Sequence, residues 1–75
     1  MDTETLNEIN DCILLVQRLK ARLRQDAEEV ERAIHGHLLE VYRAAIAEVV
    51  QRLQQIEEQL VAMRDSLMAA PYNNL

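Results

Sequence analysis

The stretch "ERAIHGHLLEVYR", residues 31–43, contains the single glycine of this 75-residue chain, Gly36, flanked by two histidines. Glycine adopts, at little steric cost, the left-handed backbone conformation that closes many helices. The stretch is therefore compatible with a metal site, with a hinge in one long helix, or with a turn between two helices. The residues on either side of the glycine distinguish these interpretations.

Apolar residues recur at alternating spacings of three and four on both sides of the glycine, which is the pattern of the a and d positions of a heptad helix. The first run has one charged member, Lys20, and otherwise consists of Leu6, Ile9, Ile13, Val16, Leu23, Ala27, Val30 and Ile34. The second run consists of Leu39, Tyr42, Ile46, Val49, Leu53, Ile56, Leu60, Met63 and Leu67. In one unbroken helix the a position at Ile34 would be followed by another at residue 41, not at Leu39, so the heptad phase slips between residues 35 and 38.

The phase slip at Gly36 predicts a tight turn at residues 35–38, between a first helix at about 4–34 and a second at about 38–69. Two helices of similar length joined by a short loop pack antiparallel. We therefore predict an all-α fold, an antiparallel helical hairpin of two long amphipathic helices that forms one domain over residues 1–75. A continuous rod is the alternative, because glycine inside a helix costs only about 1 kcal/mol relative to alanine.

Local signals mark the outer ends of both helices. The segment "TLNE" from Thr5 to Glu8 fits a capping box, with Asp2 and Thr3 as competing N-caps. Pro71 cannot continue the second helix. We expect residues 71–75 to form a frayed tail.

Composition limits the classes of function. The net charge of −5 repels nucleic-acid backbones and anionic membranes, and 3% aromatic residues leave little to stack on bases. No apolar run approaches the roughly 18 residues of a membrane span, and the acidic start does not resemble a secretory signal. The lone Cys12 cannot form an internal disulfide, and we expect it to be a buried structural thiol. These features favour a cytoplasmic protein that binds neither nucleic acid nor membrane.

Neither a cofactor site nor a catalytic site is expected. His35, His37 and Glu40 could be considered as metal ligands, but zinc usually needs three or four protein ligands in a suitable geometry. We expect the two histidines to solvate the turn and to cap the last carbonyls of the first helix. No nucleophile and base pair or glycine-rich phosphate loop occurs, so we predict a non-catalytic protein with no metal.

The chain carries more apolar surface than two paired helices can cover. The segment "CILLVQRL", residues 12–19, is apolar around most of its circumference. An excess of this kind is typical of a protein interface, formed either with another protein or with a second copy in a four-helix bundle. The residues we assign to that interface are Leu15, Leu19, Lys20, Ile46 and Val50. Lys20 is included because a cation in a seam position can select register or partner.

The segments "TLNEIN", "IHGHLLEVY" and "YRAAIAEVVQRLQQIEEQL" resemble the small helical-hairpin co-chaperones of bacterial type III secretion systems. The resemblance covers most of the chain and implies a virulence-related function. It implies a partner chaperone of the tetratricopeptide-repeat type, with which the hairpin keeps a needle subunit soluble and monomeric in the cytoplasm. The interface residues would contact the repeat protein.

A second, local resemblance covers about nine residues. The segment "HGHLLEVYR" is similar to the second helix of plasmid copy-number regulators, which are dimeric four-helix bundles that bind paired RNA hairpins. This resemblance implies a homodimeric adaptor or regulator of protein or RNA. The corresponding face of the first helix here lacks phenylalanine and carries Glu4, Glu8 and Asp11, so the similarity concerns the fold more than RNA binding.

Overall fold

The computed structural model describes residues 3–69, which form two helices, α1 (Thr3–Ala33) and α2 (Gly36–Ala69). The helices pack antiparallel into a rod whose principal extents are 59 × 16 × 10 Å. Neither helix is interrupted by an internal glycine or proline, and Glu4 and Arg32 lie in the first and last turns of α1, where their charges oppose the helix dipole. The predicted all-α helical hairpin is confirmed, and the continuous rod is excluded.

The connection between the helices is shorter than the predicted turn at residues 35–38. Only Ile34 and His35 lie outside the helices, and the backbone nitrogen of Ile34 still donates a hydrogen bond to the carbonyl oxygen of Val30 at 3.2 Å. Gly36 has a φ of 66°, in the left-handed region. One residue in this conformation redirects the chain strongly enough for α2 to begin at Gly36 itself, two residues before the predicted start.

The N-terminal end also differs from the capping box that we predicted at Thr5. Because α1 begins at Thr3, Thr5 lies inside the first turn and is not the N-cap. The competing cap Asp2 lies outside the described residues. So does the predicted tail at 71–75, together with Pro71. Ala69 is the last described residue of α2.

Candidate protein-binding face

The hairpin has very little interior. Among the described residues only Ile13, Lys20 and Ala27 are buried, at 4%, 9% and 7% exposure, and no described side chain is less than 2% exposed. These three residues repeat every seven positions along α1, so they form one row that faces α2. No residue of α2 is buried. The two helices therefore contact each other along a single narrow seam.

The rotation of α2 differs from the prediction. Its first heptad row, which includes Ile46 and Leu53, is half-buried as expected. Tyr42 in the second predicted row is also half-buried, but the other three positions of that row, Val49, Ile56 and Met63, are 43%, 44% and 52% exposed. The residue that follows each of them is half-buried in their place, and these residues are Val50, Glu57 and Arg64. The assignment of Val49, Ile56 and Met63 to the seam was therefore wrong.

Lys20 supplies the physical reason for this rotation. Its ammonium nitrogen donates to Oε1 of Gln54 at 2.6 Å and forms an ion pair with Oε1 of Glu57. A buried cation is strongly unfavourable unless acceptors surround it. Gln54 and Glu57 both lie on the side of α2 next to the predicted seam. We conclude that α2 turns toward these two acceptors and turns Val49 and Ile56 away.

The electrostatics of this cluster are visible in the Glu57 carboxyl. Hydrogen bonds from Lys20 and then from Gln17, whose Nε2 donates to Oε2 at 3.2 Å, lower the pKa of Glu57. Partial burial opposes this lowering, and the charge of Lys20 adds to it. The carboxylate is therefore held in its ionised form by α1.

Two further interhelical polar contacts lie on the same side of the hairpin as Gln17 and Glu57. Nη1 of Arg64 donates to Oδ1 of Asn10 at 3.3 Å, and Nε of Arg43 donates to Oε1 of Glu31 at 2.5 Å. Asn10, Gln17 and Glu31 are spaced by seven and fourteen positions, so they form one row of α1. We call this side of the hairpin the polar face.

The opposite side, which we call the apolar face, carries most of the exposed hydrophobic surface. Ten large apolar side chains are exposed among the described residues, and helical-wheel geometry places eight of them on or beside this face. The eight are Leu15, Leu19, Val30, Leu38, Val41, Val49, Ile56 and Met63. The other two, Leu14 and Met68, lie toward the polar face. The hairpin is therefore amphipathic as a unit, with one polar and one apolar side.

The structure separates the residues that the sequence assigned to one interface. Leu15 and Leu19, at 62% and 48% exposure, lie on the apolar face. Lys20 lies in the seam between the two helices. Ile46 and Val50 are half-buried and line an open groove on the polar face near the turn. Of the five predicted residues, only the two leucines share the apolar face.

Three of the α2 residues on the apolar face, Val49, Ile56 and Met63, were predicted to lie in the seam and not in the interface. Their heptad spacing fits the seam equally well, so apolar pattern alone does not separate them from a core. Polar residues, and not apolar ones, distinguish these exposed positions from a core. The acceptors for Lys20 are at Gln54 and Glu57, and a helix that presents these two residues to α1 must expose Ile56.

The single cysteine and the two histidines lie on the surface of the hairpin. Cys12 is exposed, which corrects the expectation of a buried thiol, because it lies seven residues before Leu19 on the flank of α1 and not in its seam. His35 and His37 are both exposed beside the turn. Within residues 3–69 no three His, Cys, Asp or Glu side chains are grouped in a way that could hold a metal ion.

The basic cluster of residues 18–24 does not form a continuous positive surface. Lys20 is buried, Arg24 lines the groove on the polar face, and Nε of Arg22 pairs with Asp26 at 3.2 Å. Of the four basic side chains in this segment, Lys20 is therefore buried and Arg22 is paired, whereas Arg18 and Arg24 are exposed. On α2, Nη2 of Arg52 donates to Oε1 of Glu48 at 3.0 Å.

The fold and this face together define a class, an amphipathic helical hairpin whose apolar side is uncovered. In the part of the chain that the structure describes, neither helix contains a segment that is both long and apolar enough to cross a membrane. No family model, curated protein or solved structure matches the chain. Inferences about function therefore depend on the geometry of the two faces and on the sequence resemblances.

Proposed function

We propose that this chain is a non-catalytic binding module that stabilises a partner protein through its apolar face. The observation that carries the proposal is the segregation of eight exposed large apolar side chains onto one side of a hairpin. Within residues 3–69 the only buried apolar residues are Ile13 and Ala27. Burial of apolar surface contributes roughly 25 cal/mol per Å², so a partner that covers this face adds stabilisation that the hairpin lacks alone.

The particular form we propose is a cytoplasmic co-chaperone of type III secretion. Its partner is a chaperone of the tetratricopeptide-repeat type, and through that partner it acts on a needle subunit. Support comes from the sequence resemblance over most of the chain and from the shape of the apolar face. A face two helices wide fits the concave groove of a helical-repeat protein. The ion pairs of the polar face would remain toward solvent.

The experiment that tests this proposal is co-purification with a matched pair of variants. A tagged copy is expressed together with a candidate repeat chaperone and needle subunit, and captured proteins are identified by mass spectrometry. Leu19→Asp adds a charge to the apolar face, whereas Leu14→Asp adds the same charge to the other flank of the same helix. The two leucines are 48% and 46% exposed, so the two changes perturb similar amounts of surface.

We expect Leu19→Asp to abolish capture of the repeat chaperone and Leu14→Asp to retain it. Circular dichroism of both variants checks that they keep the same helicity. Equal capture by both variants, or loss with Leu14→Asp alone, would contradict docking through the apolar face. A failure of the wild-type chain to capture either candidate would contradict the secretion assignment.

A further inference from the structure

The centre of the apolar face is neutral, although the chain is strongly acidic. The four heptad rows nearest the seam on this side contain only two charged residues, Asp26 and Arg52, which have opposite signs. The outer rows, which include Leu15 and Val41, also carry Glu8, Arg22, Glu29 and Glu48 at the edges of the face. The net charge of −5 is therefore carried outside the four central rows. Two copies of an acidic chain repel each other in most orientations, but they can bring these neutral centres together without opposing like charges there.

The size of the face matches what a stable dimer requires. A helix of 31 residues is about 46 Å long, and two helices at roughly 10 Å each are about 20 Å wide. The face therefore offers about 900 Å², close to the roughly 800 Å² that each partner buries in a standard interface. A second hairpin presents a surface of the same length and width.

The interhelical contacts fix which residues of α1 and α2 lie at the same height, that is, at the same position along the hairpin axis. Because Gln17 contacts Glu57 and Asn10 contacts Arg64, Leu19 lies at nearly the same height as Ile56. By the same register Cys12 lies at the height of Met63. A twofold axis parallel to the helices preserves height and places α1 of one copy on α2 of the other. Leu19 then meets Ile56 of the second copy, and Cys12 meets Met63 of the second copy.

The same axis also suits the charges and the helix directions. Asp26 lies about 6 Å along the axis from Arg52 of the second copy, within reach of the long arginine side chain. Each helix then has only antiparallel neighbours, which is the favourable arrangement for helix dipoles in a four-helix bundle.

We propose that a second copy of this chain covers the apolar face of the free protein, in a twofold dimer with both turns at the same end. This face is the one that the proposed function assigns to the partner, so the dimer and the partner complex are mutually exclusive. Only that last statement rests on the proposed function. The dimer itself depends on the charge, area and register of the apolar face.

Sedimentation equilibrium of the full chain over a wide concentration range tests the dimer. We expect a reversible dimer, with its dissociation constant raised at least about tenfold by Leu19→Asp or by Ile56→Asp and changed less than about twofold by Leu14→Asp. A monomer at every concentration would overturn the proposal, as would a dimer that only Leu14→Asp weakens. If either Asp variant loses helicity, Leu19→Ala and Leu14→Ala are measured instead. We then expect Leu19→Ala to raise the dissociation constant of the dimer more than Leu14→Ala does.

The orientation is tested with a spin label at the turn, using His37→Cys in a Cys12→Ala background. Turns at the same end give a distance between labels of about 20 Å, whereas turns at opposite ends give about 45 Å or more. The longer distance would overturn the orientation.

Competition between the second copy and the repeat chaperone for the apolar face is tested by titrating the chaperone into the dimer. We expect a complex that contains one chaperone and one hairpin. A complex that retains two hairpins would refute competition. A dimer that binds no chaperone would contradict the proposed function and leave the dimer standing.

Discussion

Replacement of Gly36 by alanine tests the conformation that produces the hairpin. The φ of 66° is unfavourable for an L-residue by roughly 1–2 kcal/mol. A Cβ built at Gly36 meets no atom within 4 Å, so no steric clash adds to this cost. Alanine also reduces the conformational entropy of the unfolded chain, which offsets a few tenths of a kcal/mol. The net expected loss in the free energy of unfolding is about 1 kcal/mol, or about fivefold in the unfolding equilibrium constant.

Urea denaturation followed by circular dichroism at one fixed protein concentration measures this loss. Gly36→Asn is expected to lose less than Gly36→Ala, because asparagine tolerates the left-handed region better than other residues. His35→Ala is the control in the same connection, and its effect should stay within about 0.5 kcal/mol. A Gly36→Ala variant as stable as the wild type would refute the left-handed conformation. A loss above about 3 kcal/mol would mean that the added Cβ clashes with neighbouring atoms, contrary to the open space around Gly36.

Three further predictions concern the seam. Ile13→Ala should lower the free energy of unfolding by about 2 kcal/mol, because Ile13 is only 4% exposed in the seam. Leu14→Ala should lower it by well under half of that, because Leu14 is 46% exposed. Equal losses in chemical denaturation would contradict the assignment of Ile13 to the seam. The contribution of Glu57 to the free energy of unfolding should be fully present above its ordinary pKa of 4.5 and lost as pH falls through the lowered pKa of the folded state. Lys20→Met should weaken this dependence in thermal melts at pH 3–6, because it removes the largest cause of the lowered pKa and leaves the hydrogen bond from Gln17. Lys20→Leu should let α2 rotate back, so that a cysteine placed at residue 56 reacts more slowly with a maleimide than it does in the wild-type background; an unchanged rate would refute the role of Lys20.

Much of the fold is predictable because it depends on local signals. Two uninterrupted heptad runs specify two helices, and the slip in their phase at Gly36 specifies where the chain turns. The length of the turn was less predictable, since pattern alone does not show that one left-handed residue completes the reversal. The start of the first helix was also missed, because Asp2, Thr3 and Thr5 are all acceptable caps by residue type, and the helix begins at Thr3 rather than after Thr5.

The face was only partly predictable, for a physical reason. Leu15 and Leu19 lie outside the heptad seam of α1, so their exposure follows from the pattern. In α2, Val49 and Val50 are adjacent apolar residues, and either one can complete a seam with Ile46. Sequence periodicity does not distinguish two helix rotations that differ by about 50°, the angular width of one heptad position.

The residue that fixes this rotation also creates the binding face. A leucine at position 20 would leave α2 free to bury Val49 and Ile56, and the hairpin would then have an ordinary apolar core and a polar exterior. The ammonium of Lys20 instead requires Gln54 and Glu57 as acceptors, so α2 rotates and a heptad row of apolar residues is exposed on the other side. In this protein one buried cation weakens the seam within the hairpin and, by the same rotation, enlarges the surface available to a second chain.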